Sequence, residues 1–104
     1  MVDWDTAKRM VERIVELVKP SLVIVFGSLA RGEVGPDSDI DLLVVMPFAG
    51  SRRASSARIL RALALFDAPK DVMVVTPEEF NRLRDVADSL VYPAVREGRI
   101  LHAA

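Results

Sequence analysis

Residues 27–45 read GSLARGEVGPDSDIDLLVV, and most of what the chain can do follows from them. Gly27-Ser28 closes one apolar run, Leu22–Phe26, while Asp39 and Asp41 open another that continues from Leu42 to Met46. Continuous apolar runs of this length fit strands covered on both faces. Carboxylates spaced by two on a strand share one face of the sheet. Side by side on an otherwise apolar strand they repel each other unless a cation stands between them. Phosphoryl and nucleotidyl transfer use such carboxylate pairs to hold divalent metal. The Gly-Ser turn adds a hydroxyl and backbone N–H groups suited to phosphates.

Competing motifs fail on their own terms. Asp37, Asp39 and Asp41 mimic the start of a calcium-binding EF-hand loop, which wants Gly at its sixth position and Glu at its twelfth. Leu42 and Phe48 stand there instead. Gly27 and Gly32 have the spacing of a Walker A loop, but Glu33-Val34 replaces the Lys-Ser/Thr that would follow. No G-x-G-x-x-G follows a strand, so the dinucleotide fingerprint is missing as well. The plainer alternative is a helix cap at Ser28 followed by a solvated acidic turn over 37–41. Asp41 runs straight into five apolar residues, which places it on a strand rather than in a loop.

The flanking sequence predicts the order αβαβαβα. Ala7, Met10, Val11, Ile14, Leu17 and Val18 recur at helical spacing, so a helix spans about Asp5 to Lys19 and stops at Pro20. Strands are expected at Leu22–Phe26, Ser38–Met46 and Asp71–Val75, with a helical turn or two from Ser28 to about Gly32. A helix from Arg53 to Phe66 carries Ile59, Leu60, Leu63 and Phe66 on one stripe. Thr76-Pro77-Glu78-Glu79 starts the last helix or helix pair, with Pro at the first helical position and a Thr-x-x-Glu capping box. That helical region ends near Gly98, and Arg99–Leu101 forms a short strand or an arm.

Composition bounds the function. The chain has 104 residues, 51% hydrophobic and 28% charged, which fits one globular domain, 1–104. A net charge of −1 argues against a general nucleic-acid binder held by phosphate neutralisation. The absence of Cys removes disulfides, thiolate metal ligation and thiol catalysis. Asp3 and Asp5 near the start and the lack of an apolar h-region argue against a signal peptide, and no apolar run is long enough to span a membrane. A cytoplasmic location is expected.

Gly27-Ser28, ten residues, then Asp39-Ile40-Asp41 resembles the signature of the polymerase-beta-like nucleotidyltransferase superfamily. Its local form is similar to the minimal nucleotidyltransferases, the small MntA-type antitoxins of prokaryotes. The resemblance implies an α/β (α+β) single-domain core in which a small mixed sheet is flanked by helices. Asp71, about thirty residues after Asp41, would by itself do no more than solvate a strand end. Beside Asp39 and Asp41 it becomes a third ligand, and the superfamily places its third carboxylate on the same strand. Asp39, Asp41 and Asp71 are therefore the expected catalytic and metal-holding residues, for two Mg²⁺ ions or Mn²⁺ as substitute, with ATP as substrate. Gly27 and Ser28 are expected at the phosphates, together with Arg31 if it does not face solvent instead.

No segment after Asp71 is long enough for an acceptor-recognition domain, so the acceptor is expected from a partner chain. The resemblance implies an all-helical HEPN-type toxin whose tyrosine receives AMP. The alternatives are an antitoxin that neutralises by contact alone and a transferase acting on a small hydroxylated molecule. Other residues are expected to be structural. Arg52, Arg53, Arg58 and Arg61 make a solvated basic face unless they touch a partner or a triphosphate, Lys70 faces away from Asp71, and His102 lies in a disordered tail.

Overall fold

The computed structural model describes residues 1–104. Helix α1, Trp4–Val18, starts at Asp3, whose carboxylate accepts the Thr6 N–H at 2.8 Å. It buries Ala7, Met10, Val11 and Ile14 along one stripe and ends at Lys19, which takes a left-handed conformation ahead of Pro20. Strand β1, Leu22–Phe26, follows, then the single turn α2, Ser28–Arg31, and strand β2, Ile40–Val45. Helix α3, Arg52–Ala62, leads to strand β3, Lys70–Val75. Two short helices, α4 (Pro77–Leu83) and α5 (Val91–Glu97), precede strand β4, Arg99–Ala103.

The sheet is mixed, in the order β3-β2-β1-β4. Strands β2 and β3 run parallel across the α3 crossover, while β1 is antiparallel to both β2 and β4. Both faces are covered, which is why β1 and β2 read as continuous apolar runs. On one face Val23, Val25, Leu42 and Val44 pack against Met10 and Ile14 of α1 and Ile59 of α3. On the other, Ile24, Leu43, Val45 and Val75 pack against Phe80 of α4 and Val91 and Ala94 of α5. No helix is long and apolar enough to cross a membrane.

Three expectations are adjusted, and one open alternative is settled. The second strand is shorter than 38–46, so Asp39 lies just before β2 rather than in it. Helix α3 ends at Ala62, and Phe66 packs on the core from the turn that follows. The last helical region is a pair, and the chain then adds a fourth strand. His102 belongs to that strand and its Nε2 lies 3.2 Å from the Pro20 carbonyl, so it is not in a disordered tail.

Candidate active site

The strand register assembles the site. Phe26 pairs with Asp41 across β1 and β2, and Asp41 pairs with Asp71 across β2 and β3. Partners in register point to the same face, so one row carries Phe26, Asp41 and Asp71. By alternation this row shares its face with Leu43 and Val45 of β2 and with Val75 of β3, the side covered by α4 and α5. Asp41 is half-buried, while Asp39 and Asp71 are exposed on either side of it.

A cleft of about 600 Å³ opens at this end of the sheet, with Gly27, Ser28, Arg31, Asp39, Asp41 and Glu97 in its wall. Gly27 has φ +76°, a backbone conformation side chains rarely adopt, and a Cβ placed there would collide with the Asp41 carboxylate. The turn and the acid are thus packed backbone against side chain, which brings Ser28 and the start of α2 close to the carboxylates. The expected site residues Gly27, Ser28, Arg31, Asp39 and Asp41 all meet in this cleft. Asp71 does not line it. One strand over, Asp71 borders a second groove of about 510 Å³ along the outer side of β3.

Electrostatics single out Asp41. Burial raises its pKa above the ordinary carboxylate value, the negative charges of Asp39 and Asp71 push it further the same way, and Arg31 opposes them. Arg31 is solvent-exposed, but two carboxylates already engage it. Its Nη1 donates to Glu97 at 3.0 Å and its Nε to Glu33 at 3.2 Å. The hydrogen bond to Glu97, more than any other contact, holds the guanidinium in its protonated form. Glu97 comes from α5, far along the chain, and no local pattern in the sequence marks it as part of the cleft. Lys70 turns away from Asp71, as expected, and its Nζ donates to the Phe66 carbonyl at 3.0 Å.

As the side chains stand, no three His, Cys, Asp or Glu groups converge tightly enough to enclose one ion. The donor set nevertheless fits a hard divalent cation. Asp39, Asp41 and Asp71 offer only carboxylate oxygens, the charges of Asp39 and Asp71 raise the pKa of Asp41, and a cation beside Asp41 would relieve that repulsion. The same cleft can take a polyanion only with such help, since Arg31 is its one cation and is already engaged by two carboxylates.

The sequence model of a family described as the nucleotidyltransferase domain matches residues 7–101. No curated protein matches the chain. Among solved structures, a toxin-antitoxin with AMP-PNP is 22% identical with a TM-score of 0.58, over 93% of this chain and 73% of that one. A mutant of the toxin-antitoxin MntA-HpeT is 20% identical with a TM-score of 0.67, over 94% and 72%. A tri-AMPylated Shewanella oneidensis HEPN toxin in complex with MNT antitoxin is 19% identical with a TM-score of 0.51, over 95% and 71%. At these identities the likeness is one of fold, and it bears out the expected α/β core with a small mixed sheet flanked by helices. The family match runs from within α1 to within β4, and on it the chain belongs to the nucleotidyltransferase domain family.

Proposed function

We propose that the chain transfers AMP from ATP to a hydroxyl of a partner protein, a tyrosine of an all-helical HEPN-type toxin, and acts as the antitoxin of that pair. The observation that carries this reading is the in-register placement of Asp41 beside Asp71, with Asp39 preceding it and the Gly27-Ser28 turn pressed against it. A pure binding module has no use for three carboxylates at such electrostatic cost. The toxin-antitoxin complexes of the same fold, one holding an ATP analogue and one an AMPylated toxin, support the choice of nucleotide and partner.

In this reading Asp39 and Asp41 would hold the divalent cations, Mg²⁺ or Mn²⁺, and Asp71 would complete the set. When bound, the cations neutralise the triphosphate and make the acceptor hydroxyl more acidic. The Ser28 hydroxyl and neighbouring backbone N–H groups hold the β and γ phosphates. Arg31 leaves Glu97 for a phosphate oxygen, a geometry its planar guanidinium suits. The acceptor oxygen attacks the α phosphorus, the bond from that phosphorus to the bridging oxygen breaks, and pyrophosphate departs. In the proposed mechanism Asp71 takes the acceptor's proton.

The test uses the tagged chain purified from its own host with whatever binds it, supplied with Mg²⁺ and α-labelled ATP. Label on a co-purifying helical protein, lost in the Asp39→Asn variant, is the expected result. A stable complex that binds nucleotide yet stays unlabelled would replace catalysis with neutralisation by contact. Turnover of a free small hydroxylated acceptor without any partner would point instead to a small-molecule transferase.

A further inference from the structure

Arg31 is the one cation in the wall of the cleft, and the two carboxylates that engage it are differently anchored. Glu33, which accepts from its Nε, lies only two residues further along the chain and can move with it. Glu97, which accepts from its Nη1 at 3.0 Å, is 66 residues away in sequence, at the last position of α5. Gly98 fixes the backbone at that point. A Cβ at Gly98 would strike the Ala94 carbonyl and the Ile24 side chain, so the chain lies directly against β1 there. The Gly98 N–H also donates to the Ala94 carbonyl at 2.9 Å, which closes the last turn of α5. Glu97 therefore keeps its place, and a change of partner falls to the half-exposed Arg31 side chain.

Arg31 follows Ser28 by three positions on α2, a spacing that puts two helical side chains on one side. With Ser28 at the β and γ phosphates, an oxygen of those phosphates meets the same guanidinium that Glu97 holds. Carboxylate and phosphate make the same demand on it, planar N–H donors backed by positive charge. The two anions therefore compete for Arg31. Glu97 is always present at the cleft, whereas the phosphates arrive and leave.

We infer that Glu97 is an internal stand-in for a phosphate, which occupies Arg31 until a polyphosphate displaces it and takes Arg31 back as pyrophosphate leaves. This rests on the nucleotidyl-transfer reading above and names the residue that regulates the affinity of that site. Every ligand that reaches Arg31 must displace Glu97, so Glu97 weakens nucleoside triphosphate and pyrophosphate alike. A ligand with only the α phosphate does not reach Arg31 and is indifferent to Glu97. The return of Glu97 also speeds the departure of pyrophosphate, since the leaving anion loses its cation to the protein. Because the pair is half-exposed, the effect is modest.

The test measures, by calorimetry with Mg²⁺ present, binding of a non-hydrolysable ATP analogue, pyrophosphate and AMP to the full chain. Glu97→Gln keeps the shape and removes the charge. It is expected to tighten the analogue and pyrophosphate about threefold each and to leave AMP unchanged. In an Arg31→Ala background the same substitution should gain nothing, because Glu97 acts through the guanidinium. Weaker binding in Glu97→Gln would make Glu97 a brace that aims Arg31 and would overturn the stand-in. So would a gain that persists without Arg31, the mark of diffuse negative charge. Unchanged affinities with a lower melting temperature would overturn it too, leaving Glu97 a structural tie. AMP transfer from labelled ATP to the co-purified partner is followed with the same variants. The threefold pattern without any transfer would remove the transfer reading and leave the stand-in. Transfer without the pattern would remove the stand-in alone, and a wild-type chain that bound neither analogue nor pyrophosphate at about 1 mM would remove both.

Discussion

Asp41 is the residue on which stability and chemistry pull in opposite directions. Its pKa is raised by burial first, then by Asp39 and Asp71, so the folded chain holds this proton more tightly than the unfolded chain does. Ionising Asp41 therefore costs stability above its folded pKa, and the cost disappears as pH falls below it. Asp41→Asn is expected to raise the melting temperature at neutral pH in the absence of divalent cation. The gain should shrink as the buffer is taken down through the raised pKa of Asp41. A wild-type chain that melts above the variant at neutral pH would contradict this. On the proposed mechanism the same substitution also removes a metal-holding charge, and labelled-ATP assays should show transfer falling on the order of 10³-fold. Asp39 and Asp41 were legible in the sequence because period two is a local property. Asp71 needed the register of two strands to become their neighbour, and Glu97 needed the whole fold to reach Arg31.

At the scale of elements, the Gly27-Ser28 turn and the helix starts do the positioning. Gly27 and Gly32 both sit at positive φ, +76° and +72°, but only Gly27 has a neighbour that a Cβ would strike. Gly27→Ala is expected to cost about 1–3 kcal/mol in denaturant unfolding and to displace the Asp41 carboxylate, with loss of transfer. Gly32→Ala should cost about 1–2 kcal/mol through its backbone alone and leave transfer in place. Equal activity in the two variants would show that the turn does not hold the acid. At the start of α4, Thr76 Oγ1 accepts from Glu79 N–H at 3.1 Å while Glu79 Oε1 accepts from Thr76 N–H at 2.9 Å. Thr76→Ala should lose about 1 kcal/mol without touching the cleft. This capping box was readable because all its parts lie within four residues. Strand β4 was readable only as a possibility, since five residues of mixed polarity at a sheet edge carry no period, and what fixes them is pairing with β1. Likewise, the chain shows where β3 lies but not that it ends the sheet, so the groove beside it has no signature.

For the whole molecule, the cleft draws on parts that lie far apart in the chain: the turn into α2, the start of β2 and the end of α5. A ligand that bridges them links both helical layers, so its binding energy is added to the stability of the entire fold rather than to one loop. Binding to the folded state alone stabilises by about 2.7 kcal/mol at a hundredfold excess over Kd. In a domain of this size 1 kcal/mol moves the melting temperature by roughly 4–8 °C. ATP with Mg²⁺ at that excess is therefore expected to raise the midpoint by about 10–20 °C. Chelating the metal should abolish the shift, because the acidic cleft repels a bare triphosphate and Arg31 is its only cation. Asp41→Asn should combine a higher midpoint without ligand with little or no rise when Mg²⁺ and ATP are added. That pairing separates a carboxylate that holds metal from one that merely destabilises the fold, since a purely structural acid would alter the first midpoint and leave the increment unchanged.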